Sequence, residues 1–283
     1  MIRSESIKGK IRHIAKIKRL SSQEVLQMFF FERFLDRLSH SKYRSHFVIK
    51  GGLLIASMIG IENRTTMDMD TTIKGIPLGE AKIREVVEEM IRSEVDDGIR
   101  FELKDITYIR EEDDYENFRV HLVATFDKIN NPMKIDITTG DVITPRAIEY
   151  AYPCMFEDGS IKILAYPPET ILAEKYESII KRNITTTRMR DFYDIYSLYR
   201  LRPDTIDQKV LKKAIISTAK KRESLDILYR AQEILEDMEE DPYLKEQWET
   251  YRKENKYTED ILFDDTLETL RIITARIDLL NER

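Results

Sequence analysis

The chain changes rhythm near its middle. Up to about residue 165, runs in which apolar and polar residues alternate are interleaved with stretches whose apolar residues recur every three or four positions. Beyond that point only the helical rhythm continues. Val25, Leu26, Phe29, Phe30, Phe34, Leu35 and Leu38 form a wide apolar stripe that predicts a helix over 22–39 and places its aromatic rings in the core. A short helix is expected at 51–58, a strand at 67–73 and a charged amphipathic helix at 78–92. Strands follow at about 101–110 and 117–126; in the second, Phe118, Val120, Leu122, Ala124 and Phe126 alternate with Arg119, His121, Val123 and Thr125. After Asn130-Asn131-Pro132 comes a strand over 133–138, and 161–165 is the last. From Pro167-Pro168 onward the pattern is helical, broken near Arg202-Pro203 and Asp241-Pro242. This order predicts an α+β fold: a mixed sheet flanked by helices over 1–166, including N-terminal helices, then a helical domain over 167–283.

Two carboxylates in the strand at 67–73 give the pattern a chemical content. Residues i and i+2 of a strand share a face, so Asp68 and Asp70 project together while Met67 and Met69 point the other way. Parallel carboxylates repel, and a half-buried strand seldom keeps them without a cation. Neighbouring oxygen ligands suit Mg²⁺, which takes one or two carboxylates and fills its shell with phosphate oxygens and water; Mn²⁺ is the alternative. Upstream, Gly51 and Gly52 allow close backbone approach, and they open a helix whose first N–H groups would favour a phosphate. Asp136 lies on the polar face of the strand at 133–138, with Lys134 and Thr138. Were the two strands neighbours, Asp68, Asp70 and Asp136 would share a face able to hold two metal ions for in-line attack on a phosphate. Each feature alone has a plainer reading: a solvated strand edge, a tight turn, an exposed polar position. Their conjunction points to nucleotide chemistry.

The helical half adds a second set. On a helix from about Glu169 to Lys181, Lys175 lies on the apolar stripe, four residues from Ile171 and Ile179. It must snorkel along its stem, meet a negative partner, or serve as a point charge on a triphosphate. Asp191, among Phe192, Ile195 and Leu198 on the following helix, is either a carboxylate favoured by the helix dipole or a group orienting Lys175 or an arginine; Arg188 and Arg190 lie within one turn. Asp194, nearer the edge of that stripe, is the weaker candidate.

Composition narrows the setting. A chain of 283 residues with 42% hydrophobic and 35% charged residues has material for a sizeable core, and no apolar run is long enough to span a membrane. Residues 1–19 carry no apolar segment of the secretory kind. The single Cys154 excludes a disulfide framework and a cysteine-rich zinc site, and a reducing cytoplasm is the natural setting; the four histidines show no zinc-ligand spacing. A net charge of −6 argues against a general nucleic-acid-coating protein. Locally, however, Arg3, Lys8, Lys10, Arg12, Lys16, Lys18 and Arg19 stand against Glu5 alone, and a second basic cluster spans Lys209 to Arg222; acid is concentrated at Glu111–Asp114 and Glu236–Asp241. Such clusters are usually solvated helix faces, yet a basic surface would suit an RNA acceptor.

The order of Gly51-Gly52, Arg64-x-Thr66-x-Asp68-x-Asp70, Asp136, Lys175 and Arg190-Asp191-x-x-Asp194 resembles the AbiEii/AbiGii nucleotidyltransferase-like toxins over most of residues 20–200. The phrases Phe47-Val48-Ile49-Lys50-Gly51-Gly52 and Arg188-Met189-Arg190-Asp191-Phe192-Tyr193-Asp194 carry it most clearly. The resemblance implies a minimal nucleotidyltransferase core of the DNA-polymerase-β type. It also implies NMP transfer from an NTP to an acceptor, the 3′ end of tRNA, and an antitoxin encoded nearby that need not bind the toxin. By the same resemblance Asp68 and Asp70 hold two Mg²⁺ ions, and Asp136 completes the second site and assists deprotonation of the acceptor. Gly51 and Gly52 approach the phosphates, Lys175 neutralises the triphosphate, Asp191 orients it, and Thr66 and Arg190 contact the nucleotide. The superfamily often has Ser or Thr after the glycines; Leu53 here leaves phosphate contact to backbone N–H groups. Two other functions fit the residues: a non-catalytic nucleotide- or RNA-binding module, and a transferase acting on a small molecule or a protein. Three metal carboxylates count against the first.

Overall fold

A computed structural model describes residues 4–77, 79–93, 95–109 and 117–277. Leu78 and Arg110 at predicted element ends, Arg3 of the basic N-terminal cluster, and the acidic Glu111–Asp114 lie outside the described residues. The chain forms two compact units, residues 1–141 with 147–165 and residues 142–146 with 166–283.

In the first unit, α1 (Ser4–Lys18) and α2 (Ser22–His40) precede β1 (Phe47–Lys50), α3 (Gly51–Ile59), β2 (Asp68–Ile73) and α4 (Glu80–Ile91). Then come β3 (Ile99–Ile109), β4 (Asn117–Phe126), β5 (Ile129–Thr138), β6 (Ile148–Pro153) and β7 (Ser160–Ala165). The described strands form one seven-stranded mixed sheet in the order β3-β4-β5-β2-β1-β7-β6. β2 runs parallel to β5 and β1 parallel to β7, while the other neighbours are antiparallel. The alternation in β4 and β5 is the reason the sheet has a dry and a wet face. Phe118, Val120, Leu122, Met133, Ile135 and Ile137 are buried, and the residues between them look outward.

A capping box starts α2: Ser21 Oγ accepts from the Glu24 N–H, and the Glu24 carboxylate accepts from the Ser21 N–H at 2.8 Å. The predicted stripe understates this helix, because Gln27, Phe31, Glu32, Arg33 and Arg37 are buried as well. A charge on so enclosed a helix needs a partner, and Arg37 finds one in Asp97 through two 2.9 Å hydrogen bonds. Two strands escape the alternation rule. β1 is a short, wholly apolar run until Lys50, and β6 is an edge strand ending in Pro153 with Glu149 and Ala151 turned outward.

The second unit contains α5 (Pro168–Arg182), α6 (Met189–Leu201), α7 (Gln208–Lys221), α8 (Leu225–Leu228), α9 (Ala231–Glu240), α10 (Pro242–Glu254) and α11 (Phe263–Ile277). The proline breaks fall where expected, with Pro203 opening a 3-10 turn and Pro242 opening α10 behind its Asp241 cap. Tyr176, Phe192, Tyr193 and Trp248 are fully buried there, and the Trp248 indole N–H donates to Ile261 O at 3.1 Å. Among the described residues no helix is long and apolar enough to cross a membrane.

Candidate functional site

The sheet gathers charge into one row. Asp70 and Asp136 are partners across the parallel β2–β5 pair, and Asp68 stands two residues along β2 on the same face. Arg119 of β4 is the partner of Asp136, and Lys50 of β1 is the partner of Asp70. Four adjacent strands therefore present Arg119, Asp136, Asp70 and Lys50 in order, with cations outside and carboxylates between them.

Arg119 takes both oxygens of Asp136 in a planar fork, Nε to Oδ1 and Nη2 to Oδ2, each 2.7 Å. These hydrogen bonds raise the guanidinium's proton affinity above its ordinary value, and the charges of Asp136, Asp68 and Asp70 add to the effect. The expected trio is thus arranged as two plus one: Asp68 and Asp70 on β2, and Asp136 beside Asp70 on β5 with both its oxygens taken by Arg119 from the far side. Among the described residues no three His, Cys, Asp or Glu side chains converge into a metal-ligand group.

At the other end of the row, the Lys50 ammonium donates to Asp141 at 2.6 Å and to Thr138 at 2.8 Å. Asp141 also accepts from Thr72 at 2.6 Å and Thr138 at 2.7 Å. Burial raises the Asp141 carboxyl; the Lys50 charge and these hydrogen bonds more than offset it and hold the group down to about 2.

The glycines fit this row closely. β1 passes into α3 without a loop, because Gly51 turns the chain at φ +65°. A Cβ at Gly51 would lie 2.0 Å from Asp70 Oδ2, so any side chain there would displace the carboxylate. A Cβ on Gly52 would stand 3.0 Å from both Arg64 Nη2 and Thr66 Oγ1, two buried groups beneath the helix start. No side chain caps α3. Two half-buried carboxylates beside an uncapped helix start, with a glycine cleared for one of them, fit a hard divalent ion carrying a phosphate.

Thr66 and Met67 differ from the strand pattern. β2 begins at Asp68, and Thr66 sits in the preceding turn, where its hydroxyl donates to Asp68 O at 3.0 Å and accepts from Asp68 N–H at 3.3 Å. Met67 is 47% exposed and does not join the buried Met69.

In the second unit, Lys175 on α5 neither snorkels nor stands unpaired. Its ammonium lies 2.6 Å from Asp191 Oδ1 and 2.7 Å from Asp194 Oδ2, both on α6. Burial pushes the ammonium down, and the charges and hydrogen bonds of the two carboxylates reverse that, leaving its proton affinity raised. The Asp194 side chain has 0% exposure against 13% for Asp191, so the residue expected near the stripe's edge is the deeper one. Positions i and i+3 share a helix face, which brings both to the same lysine. Arg190 is exposed on the first turn of α6.

A family model described as "Nucleotidyl transferase AbiEii toxin, Type IV TA system" matches residues 33–269. The chain belongs to this AbiEii family. Two Helicobacter pylori crystal structures share its fold. One, described as a candidate nucleotidyltransferase, is 16% identical with a TM-score of 0.51, covering 92% of this chain and 99% of its own. The other, JHP933, is 14% identical with a TM-score of 0.51, covering 93% and 97%. No curated protein matches the sequence. The resemblance noted in the motifs and the α+β nucleotidyltransferase fold with C-terminal helices are both borne out.

Sequence reasoning on this AbiEii chain left out Arg119, the Lys50–Asp141 pair and the depth of Asp194. Arg119 was within reach. A two-residue turn at Asp127-Lys128 pairs Phe126 with Ile129, and counting back along that hairpin sets Arg119 opposite Asp136. The Lys50–Asp141 pair carries no such signal, because it joins residues 91 apart.

Proposed function

We propose that this chain transfers a nucleoside monophosphate from an NTP to a hydroxyl at the 3′ end of tRNA, in a Mg²⁺-dependent reaction that Mn²⁺ also supports. The observation that carries the reading is the Asp70–Asp136 partnership across β2 and β5, with Asp68 alongside and Gly51 cleared for the Asp70 carboxylate. In this reaction the acceptor oxygen forms a bond to the α-phosphorus, the bond from that phosphorus to the β-phosphate bridge breaks, and pyrophosphate leaves. Asp68 and Asp70 would hold a divalent ion, which would supply charge for the phosphate oxygens and make the acceptor hydroxyl more acidic.

The chain's own residues do the rest. Asp68 and Asp70 provide the fixed ligands. Asp136, aligned by Arg119, draws the hydroxyl proton and completes the second metal position. Backbone N–H groups at Gly51 and Gly52 meet the phosphates, since Leu53 has no hydroxyl to offer. Thr66 contacts the nucleotide from the same unit; in the second unit, Lys175, its ammonium held by Asp191 and Asp194, and Arg190 are the residues we assign to contact with a triphosphate. A toxin of this kind arrests growth in the cytoplasm by blocking the tRNA acceptor end, and its antitoxin, encoded nearby, acts without needing to bind it.

Incubating the purified chain with each labelled NTP, Mg²⁺ and total cellular RNA, beside an Asp68→Ala control, tests this reading. Label in the tRNA band with wild type alone is the expected result. Label on a protein or small molecule would change the acceptor class, and no label with any NTP would favour a binding module.

A further inference from the structure

The N-terminal helix α1 precedes the residues matched by the family model, which begin at 33. Its inner face is fixed by buried Ile7, Ile11 and Ala15 against α2. Three of its cations are committed: Lys8 to Asp127 at 3.7 Å, Lys10 to Phe156 O at 3.3 Å, and Lys18 to Glu62 at 2.7 Å. Arg12 and Lys16 are not, nor is Arg19, one residue past the end of the helix: all three are exposed and have no hydrogen-bond or ion-pair partner among the described residues.

Arg12 and Lys16 are i and i+4 on one face of α1, and Arg19 follows where the chain leaves the helix at φ +55°. One turn before Arg12, Gly9 adds no side chain to this face, and a Cβ there would meet nothing within 4 Å. Interior glycine costs a helix about 1 kcal/mol, and here it leaves bare backbone beside the cations. Ile17, next to Lys16, is 61% exposed. In a chain of net charge −6, Arg12 and Lys16 at i and i+4 repel each other, and only Lys16, in the last turn, meets the helix dipole favourably.

The position of the stripe gives it a use. The Lys18–Glu62 pair ties the end of α1 to the segment between α3 and β2, and Thr65 in that segment donates to Glu24 of α2 at 2.8 Å. That segment leads directly into Asp68 and Asp70. The end of the stripe therefore lies beside the chain segment that delivers the carboxylates.

We infer that Arg12, Lys16 and Arg19 form a docking stripe for the phosphate backbone of the RNA acceptor, outside the carboxylate row and distinct from nucleotide binding. The inference rests on the proposed RNA acceptor. Charge complementarity selects the occupant: three exposed cations along and just past α1, with no partner among the described residues, neutralise phosphates and release their counterions.

The test uses the full chain with bulk tRNA as the probe. The triple variant Arg12→Gln/Lys16→Gln/Arg19→Gln should keep its thermal midpoint and its NTP affinity, yet bind tRNA at least about tenfold more weakly, with a log–log salt slope smaller by about 2 to 3. The charge-preserving variant Arg12→Lys/Lys16→Arg/Arg19→Lys should bind like wild type, since phosphate neutralisation needs charge and not a particular head group. Unchanged tRNA affinity and slope in the Gln variant, with wild type binding tRNA, would overturn the stripe and leave the acceptor reading standing. Failure of wild type to bind tRNA would remove both.

Discussion

The carboxylate row of the sheet and the lysine centre of the helical unit are both built from three or four charged groups, and they are built in opposite senses. Around Lys175 one ammonium is closed between two carboxylates at 2.6 and 2.7 Å, and the deeper of these has no exposure. Every charge there meets an opposite charge belonging to the chain. Along β5 and β2, Asp136 meets Arg119, and on the same face Asp70 and Asp68 stand half-buried beside a helix start that no side chain caps. A closed buried set adds little net stability, and opening it is expensive; neighbouring carboxylates on a half-buried strand face are where an outside cation gains most. The two centres should therefore fail differently when cut.

The largest effect is expected at the closed centre. Asp194→Ala leaves a buried ammonium with one partner and an empty space, and should cost about 3 to 5 kcal/mol of stability. Urea unfolding checks this, and a loss below about 1 kcal/mol would mean the centre is not closed.

At the open row the damage should fall on chemistry instead. Asp68→Ala and Asp70→Ala should each reduce transfer at least about a hundredfold, as for groups acting on charge that develops in the transition state. Asp68→Ala should not lower the thermal midpoint, because it removes one of two repelling carboxylates. Near wild-type transfer in either variant would take the row out of the reaction.

The flank of the row carries an acid-sensitive pair. The folded Asp141 carboxyl, at about 2, lies below the ordinary value of about 3.9, so its pairing with Lys50 stabilises the fold above pH of about 4 and is lost as pH falls towards 2. Asp141→Asn should accordingly cost about 2 kcal/mol near neutrality, and the gap to wild type should close across that window. A gap constant down to acid pH would mean that Asp141 contributes by packing.

The smallest effect belongs to Arg119, a partly exposed cation. Arg119→Met should lower stability without divalent ions by no more than about 1 kcal/mol, and added Mg²⁺ should restore it. Differential scanning fluorimetry with and without Mg²⁺ reads this directly. Destabilisation that Mg²⁺ leaves untouched would show that the arginine acts on packing, apart from the carboxylates.

Legibility in the sequence followed the range of the interactions. Period-two alternation set β4 and β5, and helical periodicity with proline breaks set α2, α5, α6 and the later helices, because these patterns are local. β1 and β6 were hidden, one by its wholly apolar brevity and the other by its place at the edge. At the row, Asp68 and Asp70 were legible as i, i+2 and Asp136 by its own alternation. Their being neighbours depends on a parallel β2–β5 pairing that no local signal encodes. Gly51 was visible as a glycine but not as the residue that makes room for Asp70, since that contact joins residues 19 apart. Lys175 was recognisable as a charge on an apolar stripe. The depth of Asp194 depends on which way α6 faces α5.

The central contrast, an open row against a closed centre, is tested most directly by Mn²⁺ titration followed by electron paramagnetic resonance with a non-transferable NTP analogue present. Saturable binding is expected in wild type, displaced by Mg²⁺, lost in Asp70→Asn and retained in Asp191→Asn. Binding that survives in Asp70→Asn and disappears in Asp191→Asn would contradict the account.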